Sequence, residues 1–211
     1  TETGKTRVYT VTINDALQSN RVTVEGEDYR TKNANMYDRP DEPVPIYIAA
    51  AGQMVSRFTG RVGDGLICTS GKAPELYQQT ILPNVQEGLE KAGRDTGELE
   101  KMIEMKVSFD PDFGNAMQDT SHWAALGLSP EEKMGVEDPI EMERLADALP
   151  VERAASRWIV SDDPSEHVER IAPYIELGFT HLVFHAPGPN QERFLRLYSK
   201  EILPRLRKQF A

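Results

Sequence analysis

Leu66-Ile67-Cys68-Thr69, running straight into Ser70-Gly71-Lys72, is the stretch on which the reading of this chain turns. Four apolar or small residues are too few for a helix, so they read as a buried strand. The polar, glycine-containing turn that follows ends at Pro74, which suits the first turn of a helix. The same grammar recurs at residues 46–50 (Ile-Tyr-Ile-Ala-Ala), 102–109 and 181–185, each an apolar run that feeds a polar turn and then a helix-like stretch. Strands that alternate with helices predict an α/β fold with a parallel sheet. Folds of that kind place ligand sites just past the strand ends, which directs attention to the turns.

Outward from that strand, residues 21–30 alternate Val22 and Val24 with charged neighbours around Gly26 and predict an exposed hairpin. Pro40, Pro43 and Pro45 punctuate a linker into the first buried strand. A helix is expected from Gln53, with Met54, Val55 and Phe58 on one face and a stop at Gly60 or Gly63. The helix from Pro74 should reach Ala92, broken at Pro83. On residues 101–109, Met102, Glu104, Lys106 and Ser108 alternate with apolar residues, so one face is polar enough to line a site. Residues 112–150 predict a helical insertion over one end of the sheet, with Ser129 and Asp138 as caps. Residues 157–160 predict a short strand, followed by a capping box at Asp163-Pro164-Ser165-Glu166 and a helix closed by Gly178. Asn190 should cap the last helix, whose apolar face carries Phe194, Leu195, Tyr198 and Ile202. Residues 1–20 show no cap or clear period and read as a divergent amino-terminal segment.

The 211 residues are 39 % hydrophobic, enough for a real core. Thirty-four acidic against 24 basic residues give a net charge of -10, which opposes nucleic acid or an anionic membrane surface as partners. The lone Cys68 excludes an internal disulfide framework and, inside a buried run, reads as a small core residue. No apolar run approaches the ~20 residues of a membrane span and no signal peptide opens the chain, so the expectation is a soluble cytoplasmic protein.

Thr69, Ser70, Gly71 and Lys72 offer a hydroxyl, backbone N-H groups and an ammonium to one anion. The turn is not a Walker A loop, because Leu66 stands at the first glycine position and Ala73 replaces the magnesium-binding hydroxyl. Gly60, Gly63 and Gly65 do not spell a dinucleotide fingerprint either, since Cys68 occupies the third glycine position. Lys133 and Arg157 are further cation candidates; a guanidinium grips phosphate through parallel hydrogen bonds, and an ion pair with a carboxylate is the plain alternative. Small residues at Ala49-Ala50-Ala51-Gly52 would let a flat ring approach the backbone, or would equally serve tight packing. His181 and His185 share a strand face without a third ligand at metal spacing, while His122 and His167 read as surface or packing residues.

The segments 45–52, 63–72, 138–143, 157–160 and 181–188 together resemble the coenzyme F420-dependent glucose-6-phosphate dehydrogenases, members of the luciferase-like (β/α)8 barrel superfamily. The resemblance covers about residues 20–211 and implies the carboxy-terminal half of such a barrel. It implies oxidation of glucose 6-phosphate to 6-phosphogluconolactone with hydride transfer to the deazaflavin. A phosphate clamp would be made of Thr69, Lys72, Lys133 and Arg157, and the cofactor would lie against Ala51, Gly52, Met54 and Val55. Where the family has a Gly-Gly pair this chain has Ala51-Gly52. The family's catalytic histidine, glutamate and tryptophan lie in the first four βα units, which nothing in residues 1–20 matches, so no catalytic residue is assigned and the isolated chain is expected to be inactive.

Half a barrel leaves two sheet edges and its central apolar residues uncovered. Stability is therefore expected to require the missing amino-terminal half, a second copy or a rearranged closure, and a homo-oligomer is the expected state. Two other readings stay open: a sugar-phosphate- or deazaflavin-binding half-barrel without turnover, and another F420- or flavin-dependent luciferase-like oxidoreductase.

Overall fold

The computed structural model describes residues 21–27, 30–38, 40–42 and 44–210. The expectation for residues 1–20, Pro43 of the linker and the hairpin tip at 28–29 lie outside the described residues. The chain forms two compact units. One takes the described residues up to Ile67 together with Glu75–Glu100; the other takes Cys68–Pro74 and the described residues from Lys101 onward.

In the first unit, β1 (Val22–Glu25) and β2 (Arg30–Ala34) pair antiparallel as the expected hairpin. β3 (Tyr47–Ala49), α1 (Gln53–Val62) and β4 (Gly65–Thr69) follow as a βαβ unit with parallel register Tyr47↔Gly65, Ile48↔Leu66 and Ala49↔Ile67. Parallel neighbours need a crossover, and α1 is that crossover. Ile46 N–H is held at 2.7 Å by the Asp64 carboxylate, which fixes the entry to β3. α1 stops at Gly63, and Arg94 donates to the carbonyls of Gly60 (3.1 Å) and Gly63 (2.8 Å), a cation on the acceptor-rich end of a helix.

The expected break at Pro83 is not there. A π-helical turn (Leu76–Ile81) runs directly into α2 (Leu82–Ala92), and Pro83 occupies its first positions. The wide turn bonds Leu82 N–H to the Tyr77 carbonyl, so the N–H that proline lacks interrupts no established ladder. Phe58, Tyr77, Ile81, Val85 and Leu89 are all buried, and the Arg57–Glu87 pair at 2.7 Å links α1 to α2.

In the second unit, β5 (Glu100–Phe109) pairs parallel with β7 (His181–His185) along Met102↔His181 to Lys106↔His185, and with β6 (Ile159–Ser161) along Val107↔Ile159 to Phe109↔Ser161. The alternating register leaves Ile103, Met105, Val107 and Phe109 buried. Residues 112–150 hold α3 (Phe113–Asp119), a 3-10 segment (Thr120–Gly127), α4 (Pro130–Lys133) and α5 (Pro139–Asp147). Ser129 and Asp138 cap as the sequence suggests; Ser129 and Glu132 form a reciprocal capping box.

α6 (Val151–Ala155) precedes β6 and α7 (Pro164–Glu176) follows it. Arg157 is not in the strand the sequence suggests. Turn bonds from Ser156 to Arg153 and from Trp158 to Ala155 hold it in a turn, and pairing begins at Ile159. The capping box at Asp163 is also incomplete. Asp163 accepts from Ser165 N–H, but Glu166 turns away to accept from the Ser161 hydroxyl at 2.6 Å and to pair with Arg170. α8 (Gln191–Leu197), capped by Asn190, passes through a π turn (Tyr198–Ile202) into α9 (Leu203–Phe210). Tyr198 and Ile202 are buried, whereas Leu195 stands exposed, so the apolar face is narrower than expected.

Candidate functional site

Thr69 ends β4, and the turn after it is sewn to β5. Ser70 N–H donates to the Glu104 carbonyl and Lys106 N–H donates to the Ser70 hydroxyl, both at 2.8 Å. Gly71 N–H donates to the Tyr174 hydroxyl at 3.4 Å. The backbone N–H groups of Ser70 and Gly71 are therefore engaged by the protein, which corrects the expectation that they await an anion. Pairing with β5 satisfies the Ser70 N–H and the Tyr174 hydroxyl satisfies that of Gly71, which leaves the side chains of this turn as its candidate anion contacts.

Those side chains converge. Arg157 Nε donates to the Gly71 carbonyl, which brings the guanidinium onto the Lys72 turn across 86 residues of sequence. Gly71 is the residue that permits this approach: its φ is +72°, and a Cβ there would lie 2.4 Å from the Arg157 carbonyl oxygen. Burial, and then the charges of Arg157, Lys106 and Lys133, hold the Lys72 ammonium below the usual lysine pKa. Lys133 arrives on the last turn of α4. That short helix is tied down by Glu132, which accepts from Ser129 N–H and pairs with Arg153 at 2.6 Å; these bonds take the Glu132 carboxyl down to about 2.

Two residues on β5 and one on β7 complete the cluster, and the sequence reading did not assign them to it. Lys106 is 6 % exposed; its ammonium bonds the Thr69 hydroxyl and approaches Glu104 at 3.3 Å. Glu104 in turn meets His185 Nδ1 at 2.6 Å. Burial opposes charge on Glu104, but the bonds from His185, Lys106 and Thr69 and the Lys106 charge hold its pKa below the usual carboxylate value. His185 lies edge-on between Trp123 (4.7 Å) and Trp158 (5.2 Å). The signal for Glu104 and Lys106 was present as the polar face of β5. Nothing in spacing joins His185 to them, because their pairing spans 81 residues.

His181 is exposed and His185 serves Glu104, so the two histidines do not act as a pair; no group of three metal-ligating side chains occurs among the described residues. His167 is a packing residue, fully buried, with Nε2 at 3.2 Å from the Ser108 carbonyl and its ring edge-on to Phe109 and Tyr198. Cys68 is buried, and burial pushes its thiol up to about 12. A cavity of about 890 Å³ opens within the insertion, lined by Trp123, Met142, Glu143 and Asp147 among others; Thr69, Lys72, Lys133 and Arg157 do not line it.

In the first unit, the turn after β3 leads through Ala51 and Gly52 into α1. Both residues are exposed, as are Met54 (62 %) and Val55 (38 %), and a Cβ on Gly52 would meet nothing within 4 Å among the described residues. The first-turn N–H groups of a helix have no intrahelical acceptor, so this open, partly apolar ledge can take a flat ring with polar edge atoms.

Residues 4–181 match the family profile described as luciferase-like monooxygenase. The chain belongs to that family. Among relatives in the luciferase-like monooxygenase family, it is 63 % identical over 195 residues to the F420-dependent glucose-6-phosphate dehydrogenase of Nakamurella multipartita, covering 92 % of this chain and 58 % of that protein. It is 62 % identical over 187 residues to the enzyme of the same name from Beutenbergia cavernae, covering 89 % and 56 %. The chain thus spans a little over half the length of the curated relatives it matches. Among solved structures, an F420-dependent secondary alcohol dehydrogenase in complex with an F420-acetone adduct superposes with a TM-score of 0.79 at 24 % identity, over 93 % of this chain and 59 % of that one. The coenzyme F420 dependent tetrahydromethanopterin reductase of Methanopyrus kandleri gives 0.75 at 22 %, over 97 % and 63 %. These two likenesses establish a shared α/β fold.

Proposed function

We propose that this chain is the carboxy-terminal half of a luciferase-like (β/α)8 barrel and carries the phosphate clamp and part of the cofactor site of a coenzyme F420-dependent glucose-6-phosphate dehydrogenase. The observation that supports it most is the Arg157 guanidinium bonded to the Gly71 carbonyl beside Lys72, with Lys133 near enough that burial and then the charges of Arg157, Lys106 and Lys133 hold the Lys72 ammonium below its usual pKa. An unphosphorylated substrate gives no reason to gather three cations against the cost of their repulsion.

In this reading Arg157, with Nε committed to Gly71, presents Nη1 and Nη2 to two phosphate oxygens. Lys72 and Lys133 add charge, and Thr69 adds a hydroxyl. Ala51, Gly52, Met54 and Val55 would support one face of the deazaflavin, which when bound accepts the hydride from the sugar. The exposed ledge fits that role, since no described residue comes within 4 Å of a Cβ placed on Gly52. The clamp's contribution to catalysis is orientation: a phosphate gripped away from the reacting carbon holds the sugar in one pose and converts binding energy into alignment.

Calorimetric titration of glucose 6-phosphate and of glucose into the chain tests this. The phosphorylated sugar should bind and glucose should not. Arg157→Ala should weaken glucose 6-phosphate by about tenfold or more, the scale of losing a charge-assisted hydrogen-bonded pair. Equal binding of the two sugars, or an unaffected variant, would refute the clamp. Binding without reduction of added coenzyme F420 would identify a chain that captures but does not turn over.

A further inference from the structure

A buried cation needs a compensating charge or it destabilises the fold. Lys106 has one in Glu104, yet its charge is still felt at Lys72 beside those of Arg157 and Lys133. Glu104 also takes hydrogen bonds from His185 and Thr69. It therefore collects the donors, the Thr69 hydroxyl and an ammonium, that an incoming oxyanion at this turn would use.

We propose that Lys106 is a fourth cation of the anion site and that Glu104 is its resident carboxylate, engaging Lys106 and Thr69 until a phosphate dianion takes its place. This rests on the phosphate-clamp reading above. The exchange is favourable because a dianion gains more than a monoanion from four converging cations. His185, wedged between Trp123 and Trp158, keeps its own bond to Glu104 and so gives the displaced carboxylate a place to stay. No proton or covalent bond has to move for the exchange to occur.

The test titrates inorganic phosphate, at a pH where it is a dianion and at low salt, into the wild-type chain and four variants. Lys106→Met should bind phosphate about tenfold more weakly, with Lys106→Arg restoring most of the loss, as expected for one charge-assisted hydrogen bond. Glu104→Gln keeps the shape and removes the competing charge, so it should bind about fivefold more tightly, a gain that misfolding cannot produce. Arg157→Ala reports on the underlying clamp. If Arg157→Ala weakens phosphate but Lys106→Met does not, the fourth-cation assignment falls and the clamp stands. If Glu104→Gln binds more weakly than wild type, Glu104 is a scaffold for Lys106 and not a competitor, and the exchange is overturned. If Arg157→Ala has no effect, the clamp fails and this inference fails with it.

Discussion

Replacing Gly71 by alanine should damage both stability and anion binding, and the two effects have a single cause. The backbone at Gly71 sits at φ +72°, a conformation that costs an alanine about 1 kcal/mol. The added methyl would lie 2.4 Å from the Arg157 carbonyl oxygen and 3.2 Å from its carbon, both backbone atoms that cannot swing aside as a side chain can. Relieving the clash means shifting the Arg157 turn, at a further cost of roughly 1–3 kcal/mol by analogy with overpacked cores. The sum is about 2–4 kcal/mol, or on the order of 10 °C in Tm for a chain of this length. Gly93→Ala supplies the control: its φ is +66°, but a Cβ there meets nothing within 4 Å among the described residues, so it should lose only the conformational part, about 1 kcal/mol. Urea unfolding of both variants measures the difference, and glucose 6-phosphate titration of Gly71→Ala should show weakened binding, because the shift breaks the Arg157 Nε bond to Gly71. Equal destabilisation in the two variants, with unchanged binding by Gly71→Ala, would refute the reasoning.

Burial depresses the His167 pKa from 6.5 to about 4, so the unfolded chain binds the proton first as pH falls. The associated stability is complete above pH 6.5 and declines toward pH 4; about 2 kcal/mol should disappear between pH 6.5 and 5, where ordinary carboxylates still contribute little. Urea titrations at those pH values should show the decline in wild type and a much flatter response in His167→Gln; parallel slopes would contradict the assignment. Cys68, with its thiol pushed up to about 12 inside the core, should resist iodoacetamide in the native chain and react fully in denaturant. Stoichiometric alkylation under native conditions would show that the β4 core opens.

Residues 65–69 and 181–185 are strands because short apolar runs bounded by turn residues have few other uses, and Ser129, Asp138 and Asn190 cap helices because a short oxygen-bearing side chain before a helical run satisfies first-turn N–H groups. Local pattern also has blind spots. A π turn leaves no mark in periodicity, so Pro83 predicts a break the helix does not have, and an apolar run says where a strand lies but not where its pairing starts, so Arg157 reads as part of β6.

Candidate residues such as Thr69, Lys72, Lys133 and Arg157 could be named from their types, their neighbours and a family resemblance. What the side chains at this turn touch is decided by pairings 37, 81 and 86 residues long, between Lys106 and Thr69, His185 and Glu104, and Arg157 and Gly71. A chain's periodicity carries the two-residue and three-to-four-residue spacings of strands and helices. It carries no distance between side chains on different strands, which is set by register, and register is chosen by the whole set of packed faces at once.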